Sequence, residues 1–105
     1  PPYFNTEEYS NEETQSWKKY STKKEWLEGF LKKTMQNCYS CLKDDGLMMI
    51  NIANVKTYPN LETDVLRMAY QENFKIDDVL LLRLSSIMGG FKYEPIFIFK
   101  KRGIQ

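Results

Sequence analysis

Residues 22–52 constrain the fold more than any other stretch. Thr22-Lys23-Lys24-Glu25 has the form of a capping box: the threonine hydroxyl accepts the N–H three residues on, and the glutamate reaches back. Apolar residues then recur as Leu27, Phe30, Leu31, Met35, Cys38, Tyr39 and Leu42, one stripe along a helix. At the α-helical rise this element is about 30 Å long. It is expected to end at Asp44-Asp45-Gly46, with the glycine supplying a left-handed turn. Residues 47–52, Leu-Met-Met-Ile-Asn-Ile, follow without alternation, the pattern of a strand buried on both faces. A long helix, a tight turn and an apolar strand make an αβ unit of a parallel sheet.

The next loop, residues 53–60, lies at the carboxyl end of that strand, where open α/β sheets keep their sites. Asn51, Asn54 and Tyr58 are placed to face a ligand there, and local turn chemistry accounts for the asparagines equally well. A shorter helix is expected over residues 61–73, capped by Asn60, with Leu61, Val65, Met68 and Ala69 inward and Leu66 at the margin. Phe74 should close the helix end against the sheet. Residues 75–85 read as a strand with a buried middle, Val79-Leu80-Leu81-Leu82, and residues 86–92 as a flexible connection around Gly89-Gly90. The last strand, residues 93–101, alternates Ile96 and Ile98 with Phe97 and Phe99. Both of its faces are apolar, so it should be central. Pro95 cannot donate to a ladder and should sit near the strand start. Lys32 and Lys33, and the closing Lys100-Lys101-Arg102, read as solvated surface.

The chain opens on Pro1-Pro2-Tyr3-Phe4. Two prolines fix φ and remove two backbone donors, leaving a stiff element that presents ring faces and carbonyl oxygens. It suits gripping a flat group that carries an N–H, and a frayed terminus would look the same. Residues 5–21 are polar, with Tyr9, Trp17 and Tyr20 scattered among them. They form either a lid that touches the target or a loop pinned to the core by its rings.

Composition narrows the chemistry. The 105 residues, 42% hydrophobic, fit one small domain. The net charge of +1 gives no strong field towards nucleic acid. Histidine is absent, which excludes Ser-His-Asp and Cys-His catalysis and imidazole ligation of zinc. Cys38 and Cys41 form a C-x-x-C inside the helical pattern with no second pair, and read as half-buried apolar residues of a reduced cytoplasm. Asp77-Asp78 and Glu12-Glu13 are weak candidates for acid–base or metal work, because adjacent strand residues face opposite ways. No apolar run is long enough to cross a bilayer, and no membrane partner is expected. The chain begins inside a motif and without methionine, as an excised fragment or cleaved product would.

Three places carry a resemblance to the S-adenosylmethionine-dependent amino-group methyltransferases. Pro1-Pro2-Tyr3 looks like the last three residues of their Asp/Asn/Ser-Pro-Pro-Tyr motif. Leu42-Lys43-Asp44-Asp45-Gly46 followed by residues 47–52 is similar to the family's turn and fifth strand. Tyr93-Glu94-Pro95-Ile96-Phe97-Ile98-Phe99-Lys100-Lys101 resembles the closing strand of bacterial and phage N6-adenine and N4-cytosine DNA methylases. The resemblance implies the C-terminal half of a Rossmann-like fold, a three-layer mixed sheet whose last strand inserts antiparallel between its predecessors. The expected order is residues 47–52, 93–101, 75–85. The domain would be partial, with the motif and aromatic loop at residues 1–21 and the helix-strand-helix-strand-strand half at 22–105.

The resemblance also implies the site. Pro1, Pro2 and Tyr3 would be the catalytic residues, the Pro1 carbonyl accepting a hydrogen bond from the amino group of the target. Tyr3 would stack on a base flipped out of DNA, and Phe4 would line the pocket. S-adenosylmethionine would be bound mainly by a part of the protein not present, since no G-x-G-x-x loop occurs and Gly89-Gly90 lies between the last two strands. The residue that should precede Pro1 is missing, so the fragment alone should be inactive. The strand at 47–52 would expose an apolar edge, so the isolated fragment should form a homodimer. RNA bases or protein glutamine are alternative acceptors in families sharing the Pro-Pro-Tyr element. A non-catalytic binding module is a third reading.

Overall fold

A computed structural model describes residue 1, residues 22–85 and residues 90–103. Helix α1 starts at Thr22, whose hydroxyl accepts the Glu25 N–H at 3.0 Å, as the capping box requires. It is α-helical over Lys23–Glu25, widens to a π-helix over Trp26–Leu31 and returns to α over Lys32–Cys41. Leu42 then leaves in an extended conformation, three residues earlier than the glycine turn suggested. Gly46 is not left-handed. It is required by close approach instead, because a Cβ there would meet Leu42 Cδ2 at 2.9 Å and the Lys43 carbonyl oxygen at 3.1 Å.

Strand β1, Leu47–Asn51, leads through the loop to α2, Leu61–Gln71. All four residues expected inward, Leu61, Val65, Met68 and Ala69, are buried. Asn73 turns the chain at φ 71°, a left-handed position that asparagine tolerates better than most residues. Phe74, fully buried, opens β2 (Phe74–Ser85), and β3 (Phe91–Lys101) closes the sheet.

The strand order is β1-β3-β2, with β3 antiparallel to both neighbours. That matches the expected insertion of the last strand between its predecessors. Among the described residues, however, every neighbouring pair is antiparallel, and a single helical layer covers the sheet. Met48, Ile50, Phe97, Phe99 and Phe74 form one cluster with Trp26, Leu31 and Met35 of α1 and Leu61, Val65 and Met68 of α2. The architecture is therefore α/β with two layers here, not three.

One-sided cover corrects two burial expectations. β1 alternates, with Met48 and Ile50 buried and Leu47 and Met49 exposed. In β2 the apolar middle is open: Val79, Leu80, Leu81 and Leu82 are all exposed, because the strand runs beyond the helices and its other face is uncovered. β3 is central as expected, with Phe97, Ile98 and Phe99 buried. It starts two residues earlier than residue 93, which puts Pro95 inside the strand, opposite Leu81. The Pro95 carbonyl accepts from Asn51 Nδ2 at 3.0 Å. N–H and C=O of one strand residue point to the same edge, so the missing donor falls just past the end of β1, where no ladder bond is lost.

The closing cations are not solvated either. Lys101 Nζ donates to the Leu42 carbonyl at 2.6 Å and lies 4.5 Å from the Tyr39 ring centroid. Arg102 sits 4.1 Å from the Tyr70 ring and donates to the Tyr70 carbonyl and Asn73 Oδ1. Lys100 pairs with Asp77 at 3.0 Å. Lys101 and Arg102 fasten the end of β3 to the ends of both helices, and Lys100 ties it to β2.

Removing Phe74 empties the centre of this core, so Phe74→Ala should cost about 3–5 kcal/mol. Leu81, 67% exposed, should lose less than about 0.5 kcal/mol on change to alanine. Urea unfolding of both variants gives the comparison, and the reverse ranking would mean that the middle of β2, not its start, is the covered part.

Candidate functional site

The described part of the candidate site is the loop between β1 and α2 with the start of α1 beside it. Ile52 is fully buried and anchors the loop. Val55 and Tyr58 form an isolated antiparallel bridge, the Tyr58 N–H donating to the Val55 carbonyl at 2.9 Å. Asn54 does not face a ligand. Its Oδ1 accepts the Glu62 N–H at 2.8 Å while its own N–H donates to Glu62 Oε2 at 2.9 Å. This reciprocal pair caps α2 from outside the helix, and Asn60, expected as the cap, makes no side-chain capping bond.

Tyr58 points inward rather than outward. It is 3% exposed and packs edge-on against Trp26 at 6.4 Å between ring centroids. Its hydroxyl donates to Asp64 Oδ2 at 2.5 Å, and Arg67 contacts the other carboxylate oxygen at 3.4 Å. Burial, then the bond to the Asp64 carboxylate and that charge itself, push the phenol well above its ordinary value, with Arg67 opposing weakly. The phenol therefore stays a donor. Asn51 is used between strands, as its bond to Pro95 shows.

Between α1 and this loop lies a cavity of about 300 Å³. Lys23, Lys24 and Glu28 line it from α1, Tyr58 and Asn60 from the loop, and Asp64 from the first turn of α2. Lys23 Nζ stands 5.0 Å from the Tyr58 ring centroid. In the sequence both lysines appear only as the middle of the capping box, with no role of their own. The available signal was their place directly after the cap, where cations oppose the helix dipole.

The sequence also missed Trp26, which is completely buried and lies 5.9 Å from Phe30 between ring centroids. A regular helical stripe starts at Leu27. The π-turn, with the Lys32 N–H bonded to the Leu27 carbonyl, spaces inward positions five apart and brings Trp26 into line with Leu31. The Trp26 indole N–H has no hydrogen-bond partner among the described residues.

Of the expected catalytic residues, Pro1 is exposed, and Pro2, Tyr3 and Phe4 lie outside the described residues. So do residues 5–21 with Tyr9, Trp17, Tyr20 and Glu12-Glu13, and most of the 86–92 connection. Within that connection Gly90 is left-handed, at φ 82°. Asp77 and Asp78 do not converge. Asp77 is the extra residue of a bulge between Ile76 and Asp78, and its carboxylate pairs with Lys100 while that of Asp78 accepts the Val79 N–H. Cys38 and Cys41 are free thiols, Cys38 packed on the core and Cys41 exposed rather than half-buried. Among the described residues no group of three or more acidic or thiol side chains could hold a metal. No helix there is long and apolar enough to cross a membrane.

The described residues do not form a cradle for S-adenosylmethionine. The loop after β1 is closed by its own Asn54–Glu62 and Tyr58–Asp64 bonds, and no glycine-rich strand–turn–helix occurs among them.

A family model described as DNA methylase matches residues 1–105. No curated protein and no solved structure matches the chain.

The Tyr58 phenol supplies a pH test. Its folded value lies above its unfolded value, so its contribution is fully present below about pH 10 and is lost as pH rises further. Stability of the native chain should fall more steeply above that pH than stability of Tyr58→Phe. Denaturant midpoints measured across pH 8–11 read this directly, and parallel curves would remove the buried phenol from the account.

Proposed function

Because the chain belongs to the DNA methylase family along all 105 residues, we propose that it carries the acceptor side of an amino-methyltransferase acting on adenine N6 or cytosine N4 in DNA, with S-adenosylmethionine as methyl donor. The observation that carries this reading is the full-length family match together with a closing strand inserted antiparallel between β1 and β2. That sheet supports assignment to the closing half of a Rossmann-like methyltransferase. The donor is held mainly by residues outside this chain.

On the acceptor side the roles fall to the opening motif. An exocyclic amino nitrogen is a poor nucleophile because its lone pair is delocalised into the base. The Pro1 carbonyl accepts a hydrogen bond from that amino group and favours the geometry in which the lone pair leaves the ring plane. Pro2 keeps the segment extended, having no N–H to divert it. Tyr3 stacks on the extruded base, which has to leave the duplex to be reached, and Phe4 walls the pocket. Histidine and a cysteine nucleophile have no part in this chemistry.

The test is methyl transfer from labelled S-adenosylmethionine to duplex DNA, followed by digestion and mass spectrometry of the nucleosides. The protein in which these residues are joined to a donor-binding half should yield N6-methyladenine or N4-methylcytosine, and the 105-residue chain alone should yield neither. Transfer to RNA or to protein glutamine, with none to DNA, would overturn the reading.

The outer edge of β1 pairs with no described strand, and Leu47 and Met49 stand exposed beside it. This supports pairing of the isolated chain with a second copy through that edge. Sedimentation should show a dimer at high concentration that Met49→Lys weakens. A monodisperse monomer at every concentration removes the pairing.

A further inference from the structure

We propose that the cavity between the start of α1 and the loop after β1 receives a backbone phosphate of duplex DNA, bound by the ammonium groups of Lys23 and Lys24. The inference rests on the DNA-methyltransferase reading and adds to it a place where the duplex is gripped.

Charge distribution within the cavity carries the argument. Two carboxylates reach it, and both are already engaged: Asp64 accepts the Tyr58 hydroxyl and contacts Arg67, and Glu28 faces Lys32 at 3.7 Å. Lys23 and Lys24 line the same cavity and form no ion pair among the described residues. Lys23 rests instead near the Tyr58 ring, an arrangement that positions a cation without neutralising it. The cavity thus presents two uncompensated ammonium groups, with the Asn60 side chain, free of capping duty, beside them. A phosphate is the anion that DNA offers, and lysine binds it as a point charge.

Helix stability does not explain these residues, since cations in a first helical turn are unfavourable there. Nor does the whole chain attract DNA, because its net charge is only +1. Any electrostatic grip has to be local, and this cavity lies at the carboxyl end of β1, the sheet end at which α/β folds place their ligands. A phosphate held here fixes the position of the duplex and reads no sequence.

Counterion release tests the idea. The protein is titrated into a short fluorescein-labelled duplex of mixed sequence, and anisotropy is followed between about 50 and 200 mM salt. Replacing both lysines by glutamine (Lys23→Gln with Lys24→Gln) should reduce the slope of log K against log salt by about 1, the share of one phosphate. Replacing both by arginine should keep the native slope, which separates charge from folding. Replacing Lys33 by glutamine, on the same helix but neither lining the cavity nor paired with Glu28, should leave the slope near native. An unchanged slope in the first variant, or an equal loss in the Lys33 variant, overturns this inference and leaves the methyltransferase reading standing. No binding to the duplex at all overturns both.

Discussion

β3 is the only described strand paired on both edges, and the rest of the chain is arranged around what it carries. Phe97 and Phe99 project from it to the helical side and meet edge or tilt contacts in series. Phe97 and Phe99 are 6.3 Å apart, Phe99 and Phe74 6.3 Å, and Phe74 and Tyr39 5.5 Å between ring centroids. Through these rings the last strand reaches the first helix, although they are far apart in the chain. Such a core forms only after long loops close, so its rings are what make the sheet and helices one unit. Lys101 and Arg102 extend the same tie, each laid over a tyrosine on the helical side.

The core is one-sided, and this has a chemical consequence. Leu47, Met49, Leu80 and Leu82 form apolar surface on the face of the sheet turned away from the helices. A sheet rich in apolar residues on both faces but covered on one is unusual for a self-sufficient domain.

Much of the fold was legible. The cap at Thr22, the four inward residues of α2, the buried Phe74 and the central place of β3 follow from local rules, because each depends on neighbours within a turn or on simple apolar periodicity. The site was less legible. Asn54 and Tyr58 were correctly marked as special, but for the wrong reason: one caps a helix eight residues away and the other is a core residue with a buried hydroxyl bond. Polar residues in a loop look alike in sequence whether they serve a ligand or the loop itself. Lys23 and Lys24 went unnoticed because lysine on a helix is ordinary until its neighbours are known.

By itself the sequence determined the order and type of the elements, the exclusion of histidine chemistry and the resemblance that proved to be family membership. These are properties of residue identity and spacing. Only the tertiary structure decided which apolar residues are buried, where Pro95 can sit without losing a bond, and which charges stay uncompensated. Burial and charge balance depend on what lies across the sheet or across a cavity. Trp26 shows the boundary between the two: a π-turn of one helix, invisible to a period of 3.6, moved it from the margin of the stripe to the centre of the core.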